Sequence, residues 1–455
     1  MSVLNDMALN PSEKEVAEAE GLLAFIEESS TAFHAAAAVC ARLDASGFTY
    51  LPEGDAWHMI PGGSYYTCRN GSSVIAWCIA ENALEDTRGL HFQIAAAHSD
   101  SPTFRLKSSA VVEGAGGALC LDVEPYGGMI DYTWFDRPLG IAGRLLVRSG
   151  SRVESKLVKM EGPVALIPSL AVHLNRGVND GFAPDRARDV RPVVTAGALD
   201  AHGLMGALAA SAGVSAQDIV ASDLYLVNVD APRIWGAARE FVSAPRLDDL
   251  MCAYTALEGF LGASAPSSIN VYALFDNEEV GSNTKQGAMS TLLKDTLQRI
   301  VTALDGDDEA YRRALSRSML VSCDNAHAVH PNRPDKYDEL NRCRVNGGIV
   351  IKEAANQHYC TDAFSRAIFT EVCERAGVPY QTFANRSDMA GGSTLGNLSN
   401  IQASMHGVDV GCAQWAMHAT YETAGVRDVS LARRALEAFF AADVRIDGAL
   451  AFEIA

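Results

Sequence analysis

The sequence predicts an α/β protein with a central mixed, mainly parallel sheet flanked by helices and interrupted by a mainly β domain. Helical and strand-like segments alternate at both ends of the chain, as in MSTLLKDTLQRIVTAL and MLVSCD, which is typical of parallel sheets. From about Arg105 to Val242, short β-like pieces are separated by Gly, Pro and charged residues. We therefore expect an α/β domain from residues 1–104 and 243–455 and an inserted β-rich domain from residues 105–242.

The first elements have clear start and turn signals. Ser12 and Glu15 have the spacing of a capping box, which predicts a helix over residues 12–28. A second helix is predicted over residues 31–43. An Asn-Gly pair at 70–71 lies between two β-rich runs and predicts a hairpin. The run HFQIAAAHSD then predicts a buried strand that ends in polar residues.

Alternation resumes after residue 246, and each segment has the length and apolar pattern of one helix or one strand. Helices are predicted for DDLMCAYTALEGFL, MSTLLKDTLQRIVTAL, AFSRAIFTEVCERAG and LARRALEAFFAA, and strands for SINVYALFD, MLVSCD, GIVIKEA and VPYQTFA. Within the inserted part, FAPDRARDVRPVVTAG is predicted to be a long loop.

Composition and charge narrow the function. The chain has 455 residues, which is more than one hydrophobic core usually supports, because a domain has roughly 100 to 200 residues. A formal net charge of -19 argues against nucleic-acid binding, which needs clustered Lys and Arg. No run approaches the ~18 apolar residues of a membrane helix, and the first residues lack the basic and apolar regions of a signal peptide. We therefore expect a cytoplasmic protein without a membrane partner.

The ten cysteines are scattered from Cys40 to Cys412, and no two form a CxxC pair. A zinc ribbon or a thioredoxin-type site is therefore not predicted. The cysteines are expected to be reduced, mostly buried thiols. If the protein binds metal, histidines and carboxylates must supply the ligands.

Charged and imidazole side chains follow three of the predicted strands at the point where each strand ends. Because the carboxyl ends of parallel strands meet at one edge of a sheet, these groups would converge. Histidines and carboxylates without a thiolate suit zinc, or manganese or cobalt in its place. The groups are His98 and Asp100 after QIAAA, Asp276, Glu278 and Glu279 after VYALF, and Asp324, His327 and His330 after MLVSC.

The adjacent glutamates of FDNEEVGS, Glu278 and Glu279, repel each other unless they have different partners. Two metals about 3.5–4 Å apart activate a water between them. One glutamate can then bind a metal while the other takes the proton of that water. On this motif alone, a solvated strand-to-helix loop is an equal alternative. Asp248 alone would be read as a helix N-cap, since it precedes an apolar-periodic helix.

Seven motifs together resemble one family. AAHSDSP, RLDDL, FDNEEVGS, SCDNAHAVHPN, KEAANQHY, RSDMAGGSTLG and GCAQWAMHA occur in the order seen in aspartyl aminopeptidases, which are di-zinc exopeptidases that assemble as tetrahedral dodecamers. The resemblance covers nearly the whole chain. It implies a zinc-exopeptidase type of α/β fold whose inserted β-rich domain forms dimers, and a homo-oligomer built from those dimers that acts on peptides.

The resemblance also implies two zinc ions per subunit, with Mn²⁺ or Co²⁺ able to substitute. Glu278 would be the general base, and Asp100 would orient the imidazole of His98. His173 would reach the active site of a neighbouring subunit and hydrogen-bond the substrate carbonyl oxygen. The implied metal ligands are His98 and Asp324 on one zinc, Asp248 bridging both, and Glu279 and His418 on the other.

The implied reaction is attack by a metal-bridging hydroxide on the first peptide bond, with N-terminal Asp or Glu preferred. Eukaryotic members carry a Lys before a QRY triplet, whereas this chain has ANQHY, with Asn356 and His358. Either this chain lacks a cation that pairs with an acidic side chain, or Lys352, Arg386 or His358 supplies it. The loop DMAGGSTLGN would shape the same pocket beside Arg386 and Asp388.

Two other classes of function stay open. A related di-metal hydrolase, either an amide deacylase or a carboxypeptidase, would keep the metals and bind the other end of the substrate. A non-catalytic oligomeric scaffold would not need a base such as Glu278. The HxxH of His327 and His330 matches no family ligand and is interpreted as support for ligands or loops. The Gly391-Gly392 pair lacks the Lys-Ser/Thr of a phosphate loop.

Overall fold

The computed structural model describes residues 10–84 and 89–455. In this part of the chain the backbone forms sheets of nine, six, five and two strands together with nine α-helices. None of the described helices is long and apolar enough to cross a membrane. The prediction of an α/β fold with helices flanking a mixed sheet is confirmed.

The nine-stranded sheet is the centre of the α/β part. Its strands are β1 (Thr49–Tyr50), β2 (Ser64–Arg69), β3 (Ser73–Ile79), β4 (Phe92–His98), β13 (Ile269–Phe275), β14 (Met319–Cys323), β16 (Ile349–Glu353), β17 (Tyr380–Ala384) and β18 (His406–Gly411). They lie in the order β1-β2-β3-β13-β4-β14-β18-β16-β17. Five of the eight neighbouring pairs are parallel and three are antiparallel, so the sheet is mainly parallel as predicted.

Helices cover both faces of this sheet and bury two cores. Val271 and Tyr272 on β13 belong to different cores, because successive side chains of a strand point to opposite faces. The helices on the Tyr272 face are α1 (Glu13–Glu28), α2 (Ala32–Ala45), α4 (Leu247–Gly262), α7 (Ala363–Arg375) and α9 (Val426–Ala441), and those on the Val271 face are α5 (Leu292–Ala303), α6 (Asp308–Ser316) and α8 (Leu395–Ser399).

The first helix and the first hairpin form for the reasons that their sequences indicate. The Ser12 hydroxyl accepts the N–H of Glu15, and the Glu15 carboxylate accepts the N–H of Ser12, which closes the predicted capping box of α1. Asn70 and Gly71 have φ angles of 61 and 69 degrees, as a tight hairpin turn requires. They join β2 to its antiparallel partner β3.

Residues 103–228 form the six-stranded sheet, which has its own core around Phe104, Trp134 and Leu145. The same part of the chain contains a helix, α3 (Ala201–Ser211), that is not predicted from the sequence. Its strands are β5 (Thr103–Glu113), β6 (Leu119–Tyr126), β7 (Leu139–Ser149), β8 (Arg152–Lys159), β9 (Val193–Thr195) and β10 (Ile219–Asn228).

The five-stranded sheet crosses the domain boundary expected at residue 242. Strand β11 (Arg233–Trp235) pairs with β12 (Phe241–Ala244), and β12 pairs with β20 (Glu422–Gly425) near the end of the chain. Strand pairing therefore associates residues 233–242 with the α/β part. The remaining strands are β15 (Ala326–His327) and β19 (Ala413–Trp415) in this sheet, and β21 (Val444–Asp447) and β22 (Ala451–Ile454) in the two-stranded sheet.

The helices without a sequence prediction are short or uniform in composition. Helix α3 consists mostly of Ala, Gly, Leu and Met, so it lacks a polar face that would reveal a 3.6-residue period. Helix α6 has nine residues and α8 has five. In the structure the N-cap of α6 is Asp307, whose carboxylate accepts the N–H of Ala310.

Strands β13, β4 and β14 are parallel neighbours in the sheet. Their last residues, Phe275, His98 and Cys323, therefore lie along one edge. The acidic and imidazole side chains that follow these strands start from this common edge, as the sequence predicts.

Gly411 allows close backbone packing at this edge, because a Cβ atom there would overlap the carbonyl oxygen of Asp324. We expect Gly411→Ala to cost about 1–3 kcal/mol of stability, since backbone cannot move aside as a flexible side chain can. Gly206→Ala in α3 is the control, because a Cβ there meets open space. Thermal unfolding should give a lower midpoint for Gly411→Ala alone, and equal midpoints would contradict this packing.

Candidate metal centre

Side chains from five segments of the chain meet where β13, β4 and β14 end. Three groups of them each place one ligand atom per residue within 4.8 Å of the others. Asp248 belongs to two of the groups, and so does Glu279. The groups are His98, Asp248, Asp249 and Asp324; His98, Glu278 and Glu279; and Asp248, Glu279 and His418.

The Asp248 carboxylate lies between two imidazoles. Its Oδ1 is 3.6 Å from Nε2 of His98, and its Oδ2 is 3.5 Å from Nε2 of His418. The same His418 nitrogen is 3.4 Å from Oε2 of Glu279. One carboxylate therefore faces two separate sets of ligand atoms, which is the arrangement of a bridging ligand.

The burial of these carboxylates fits a site for cations. Asp248 Oδ1 and Glu279 Oε1 are buried and accept no hydrogen bond from the described residues, although buried polar atoms normally have partners. Several carboxylates so close together repel one another in a buried site. Imidazole nitrogens and carboxylate oxygens are donors that zinc accepts, so the residues fit that metal.

The pKa directions describe the same excess of negative charge. Burial alone would raise the pKa of Asp248, but the imidazoles of His418 and His98 lower it below its usual range. Burial would lower the pKa of His418, but the carboxylates of Asp248 and Glu279, at 3.5 and 3.4 Å from its Nε2, raise it to about 10. Burial, with the nearby carboxylates, raises the pKa of Glu278 to about 8.

Asp100 holds both the histidine and the two glutamates. Its backbone oxygen is 3.0 Å from Nδ1 of His98, and its Oδ1 is 3.4 Å from the same nitrogen. Its carboxylate also accepts the backbone N–H groups of Glu278 and Glu279, each at 3.1 Å. The Tyr126 hydroxyl donates to Asp100 Oδ2 at 2.7 Å, so the inserted sheet contributes to this arrangement.

The two glutamates differ in position. Glu279 is within reach of His418, and its side chain is only 4% exposed. Both glutamates are half-buried and line a cavity of about 330 Å³ beside the cluster, but only Glu279 of the two also belongs to the group with Asp248 and His418. This difference is consistent with one glutamate binding a cation and the other facing substrate and water.

Lys352 lines this cavity, and its ammonium group already contacts other groups of the protein. Its Nζ donates to the carbonyl oxygens of Asp324 at 2.7 Å and Asn325 at 3.3 Å, and it lies 3.8 Å from Asp324 Oδ1. Its ammonium also lies 5.0 Å from the ring centre of Tyr359. Burial would lower the pKa of Lys352, but Asp324 and the other groups around it raise it. The lysine therefore stays cationic.

His327 and His330 also line the cavity. The ring of His327 stacks on Phe383 with centroids 6.2 Å apart, and burial lowers its pKa. His330 accepts the N–H of Asn332 on Nδ1. Neither belongs to a group of candidate ligands among the described residues.

Most of the other residues expected to bind substrate lie outside this cavity. Asn356 and His358 are on the exposed turn after β16. Arg386 forms an ion pair with Asp388 at 2.7 Å, donates to the Asp335 carbonyl and lines a neighbouring groove. Exposed His173, in the inserted part, is not among the residues that line this cavity.

Three buried residues at the site were not singled out from the sequence. Asp249 follows Asp248 through a cis peptide bond and accepts the N–H of His98 at 3.2 Å. The side chain of Asn325 donates to the carbonyl of Leu247. Glu422 accepts backbone N–H groups of Asp248 and His418. Asp249 is the second Asp of RLDDL, and Glu422 lies four residues after His418. No motif or spacing in the sequence distinguishes them from other acidic residues.

Comparison with known proteins gives a family-level match. Residues 25–440 match the family model of the aminopeptidase I zinc metalloproteases, M18. A "Probable M18 family aminopeptidase 2" of Clostridium novyi is 40% identical over 429 residues, which cover 93% of this chain and 98% of that protein.

Solved structures agree with this match. The matched chain in the cryo-EM structure of the Ape4 and Nbr1 complex is 33% identical with a TM-score of 0.90, and the alignment covers 95% of this chain and 87% of that one. The S. cerevisiae mApe1 dodecamer is 28% identical with a TM-score of 0.82, and the alignment covers 94% of this chain and 97% of that one.

The positions of the two glutamates predict different defects on substitution. Glu279→Gln should lose bound zinc, because the amide is a weak ligand beside His418. Glu278→Gln should keep the zinc content and the unfolding midpoint of the wild type but lose about 10²–10⁴-fold of its turnover, the usual contribution of a general base. Zinc content by atomic emission and hydrolysis of aminoacyl anilides measure both effects. Equal zinc loss in the two variants would refute the division of roles.

Proposed function

This chain belongs to the M18 family and is a zinc aminopeptidase, and on that premise we propose that it removes N-terminal residues from peptides with two zinc ions in each subunit. The main observation behind this proposal is the position of the Asp248 carboxylate. Its two oxygens lie 3.6 Å from Nε2 of His98 and 3.5 Å from Nε2 of His418. A single-metal site would not need one carboxylate between two histidines.

The first zinc would be held by His98, Asp324 and Asp248, and the second by Asp248, Glu279 and His418. The same donors would also accept Mn²⁺ or Co²⁺. When bound, paired metals lower the pKa of water and stabilise the charge that develops on the attacked carbonyl.

Glu278 would take the proton of the attacking water and pass it to the departing amine. One observation supports this role: the carboxylate of Glu278 lines the cavity beside the proposed zinc ligands. Asp100 keeps the base in place by accepting the N–H of Glu278.

The free α-amino group of the substrate would lie near Glu279 and the second zinc, and an acidic first side chain would point toward Lys352. Lys352 supports an Asp or Glu preference because it is a cation in the cavity wall. Its hydrogen bonds to carbonyl oxygens leave its charge in place, and the Asp324 carboxylate, 3.8 Å away, would be shared with the first zinc. The two neighbouring imidazoles, on His327 and His330, can also donate hydrogen bonds to a carboxylate.

We further propose a tetrahedral dodecamer built from dimers, in which His173 completes the active site of a neighbouring subunit. The relative from S. cerevisiae is a dodecamer. His173 is flanked by Leu170, Val172 and Leu174, which are 59%, 51% and 75% exposed. Clustered exposed apolar side chains mark interaction sites, so this surface suits the dimer contact.

A cytoplasmic location would suit the chemistry of the chain. All ten cysteines are free thiols, as proteins of reducing compartments usually have. Short peptides are the expected substrates, because the enclosed interior of a dodecamer would exclude folded proteins.

To test which end of a substrate the site recognises, the hydrolysis of aminoacyl anilides is compared with that of N-acyl amino acids. The protein is loaded with two equivalents of zinc. We expect cleavage of the anilides, with Asp and Glu at least about tenfold above Leu, Ala and Lys in kcat/KM, corresponding to about 1.4 kcal/mol of selectivity. Hydrolysis of only the acylated set would identify a deacylase or carboxypeptidase. No hydrolysis of either set would favour a scaffold, and equal rates for all anilides would reject the acidic preference.

The role of His173 is tested by mixing two inactive variants. His173→Ala and Glu278→Gln should each lose most activity, but dimers that contain one of each retain one complete site. Reassembly of an equal mixture should therefore restore about one quarter of wild-type activity if dimers form at random.

His202→Ala is the control, because His202 is also an exposed histidine of the inserted part. It should keep full activity. If His173 acted within its own subunit, mixing would restore nothing.

A further inference from the structure

The carboxylate of Glu422 links the backbones of two of the proposed zinc ligands. Its Oε2 accepts the N–H of Asp248 at 2.9 Å, and its Oε1 accepts the N–H of His418 at 2.7 Å. Glu422 is only 2% exposed, so water does not compete for these bonds. Each oxygen of one side chain therefore determines the position of a different ligand.

Strand pairing places Glu422 where it can reach both segments. It is the first residue of β20 and lies opposite Ala244, the last residue of β12. The chain then runs from β12 into α4, where Asp248 lies in the first turn. His418 lies in the turn between β19 and β20. The side chain of Glu422 thus starts from a paired strand, whereas Asp248 and His418 both lie in turns.

The His418 turn depends on such outside contacts. His418 has a φ of 66 degrees, in the left-handed region that is uncommon for residues other than glycine. Its carbonyl accepts the N–H of Ile130 at 3.0 Å, and the N–H of Thr420 is accepted by the Thr133 hydroxyl at 3.0 Å. The inserted part thus holds one side of this turn, and Glu422 holds the other.

The first proposed zinc site is held differently. The N–H of His98 donates to Asp249 at 3.2 Å, and the N–H of Asp324 donates to the carbonyl of Val410 at 2.9 Å. Of the first-site ligands, only the shared Asp248 bonds to Glu422. A defect at Glu422 should consequently affect the second site more than the first.

We propose that Glu422 is a positioning residue that sets the spacing between Asp248 and His418 and thereby the affinity of the second zinc. This inference rests on the proposed two-zinc function. A carboxylate is needed because both of its oxygens accept hydrogen bonds. In Glu422→Gln, one oxygen becomes an NH₂ group that faces a backbone N–H, so one ligand segment is released.

Asp428 provides a matched control. It is 1% exposed, and its two oxygens accept the backbone N–H groups of Asn346 at 2.6 Å and Gly348 at 2.9 Å. Both donors belong to a turn that carries none of the proposed ligands. Asp428→Asn therefore removes the same kind of double acceptor from a buried place without touching a ligand backbone.

The test titrates zinc into stripped wild-type, Glu422→Gln and Asp428→Asn proteins in their native assembly, with a chromogenic chelator as competitor. We expect one of the two zinc ions to bind about 10- to 100-fold more weakly in Glu422→Gln than in the wild type, the usual effect of removing support for a ligand. The affinity of the other zinc ion should change less. Asp428→Asn should show a lower unfolding midpoint and wild-type affinity for both ions.

Unchanged affinity for both zinc ions in Glu422→Gln would overturn the inference, and so would an equal loss in Asp428→Asn. A wild type that binds only one zinc would instead refute the two-zinc function. If Glu422→Gln does not assemble, Glu422→Asp replaces it, because the shorter side chain cannot reach both N–H groups. Weaker binding of one zinc ion by Glu422→Asp would then support the positioning role, and unchanged binding of both zinc ions would overturn it.

Discussion

The structure depends most on the buried negative charge around Asp248. Its carboxylate lies between the imidazoles of His98 and His418, while Glu279 approaches His418 from another side. Burying such a cluster is unfavourable unless positive charge compensates it. The imidazoles supply part of this compensation, and a pair of zinc ions would supply the rest. The strands and turns that meet at this edge of the sheet hold these charged side chains at these distances.

Several residues of the site are held through their backbone N–H groups, which donate to carboxylate side chains. Asp100 accepts the N–H groups of both adjacent glutamates, and Glu422 accepts those of Asp248 and His418. Each carboxylate thus joins two residues of the site through one rigid group. Such indirect support commonly determines how well a metal site binds. It gives a structural role to acidic residues that lie outside the candidate ligand groups of the described residues.

The inserted part contributes to the same site although it has its own core. Tyr126 donates to Asp100, and Ile130 donates to the carbonyl of His418. The domain that would carry the dimer contact near His173 therefore also supports ligands within its own subunit. This physical connection would join the proposed dimer contact to the metal centre.

The sequence by itself determined the α/β class, the alternating elements and the convergence of His98, Glu278, Glu279 and Asp324 at strand ends, because periodicity and strand polarity are local properties. It did not reveal Glu422. That role depends on β12 pairing with β20 across about 180 residues, and no local pattern encodes such a contact. Only the tertiary structure decided that Asp249 and Glu422 accept backbone N–H groups of the site, since such residues look like any other acidic residue in a sequence.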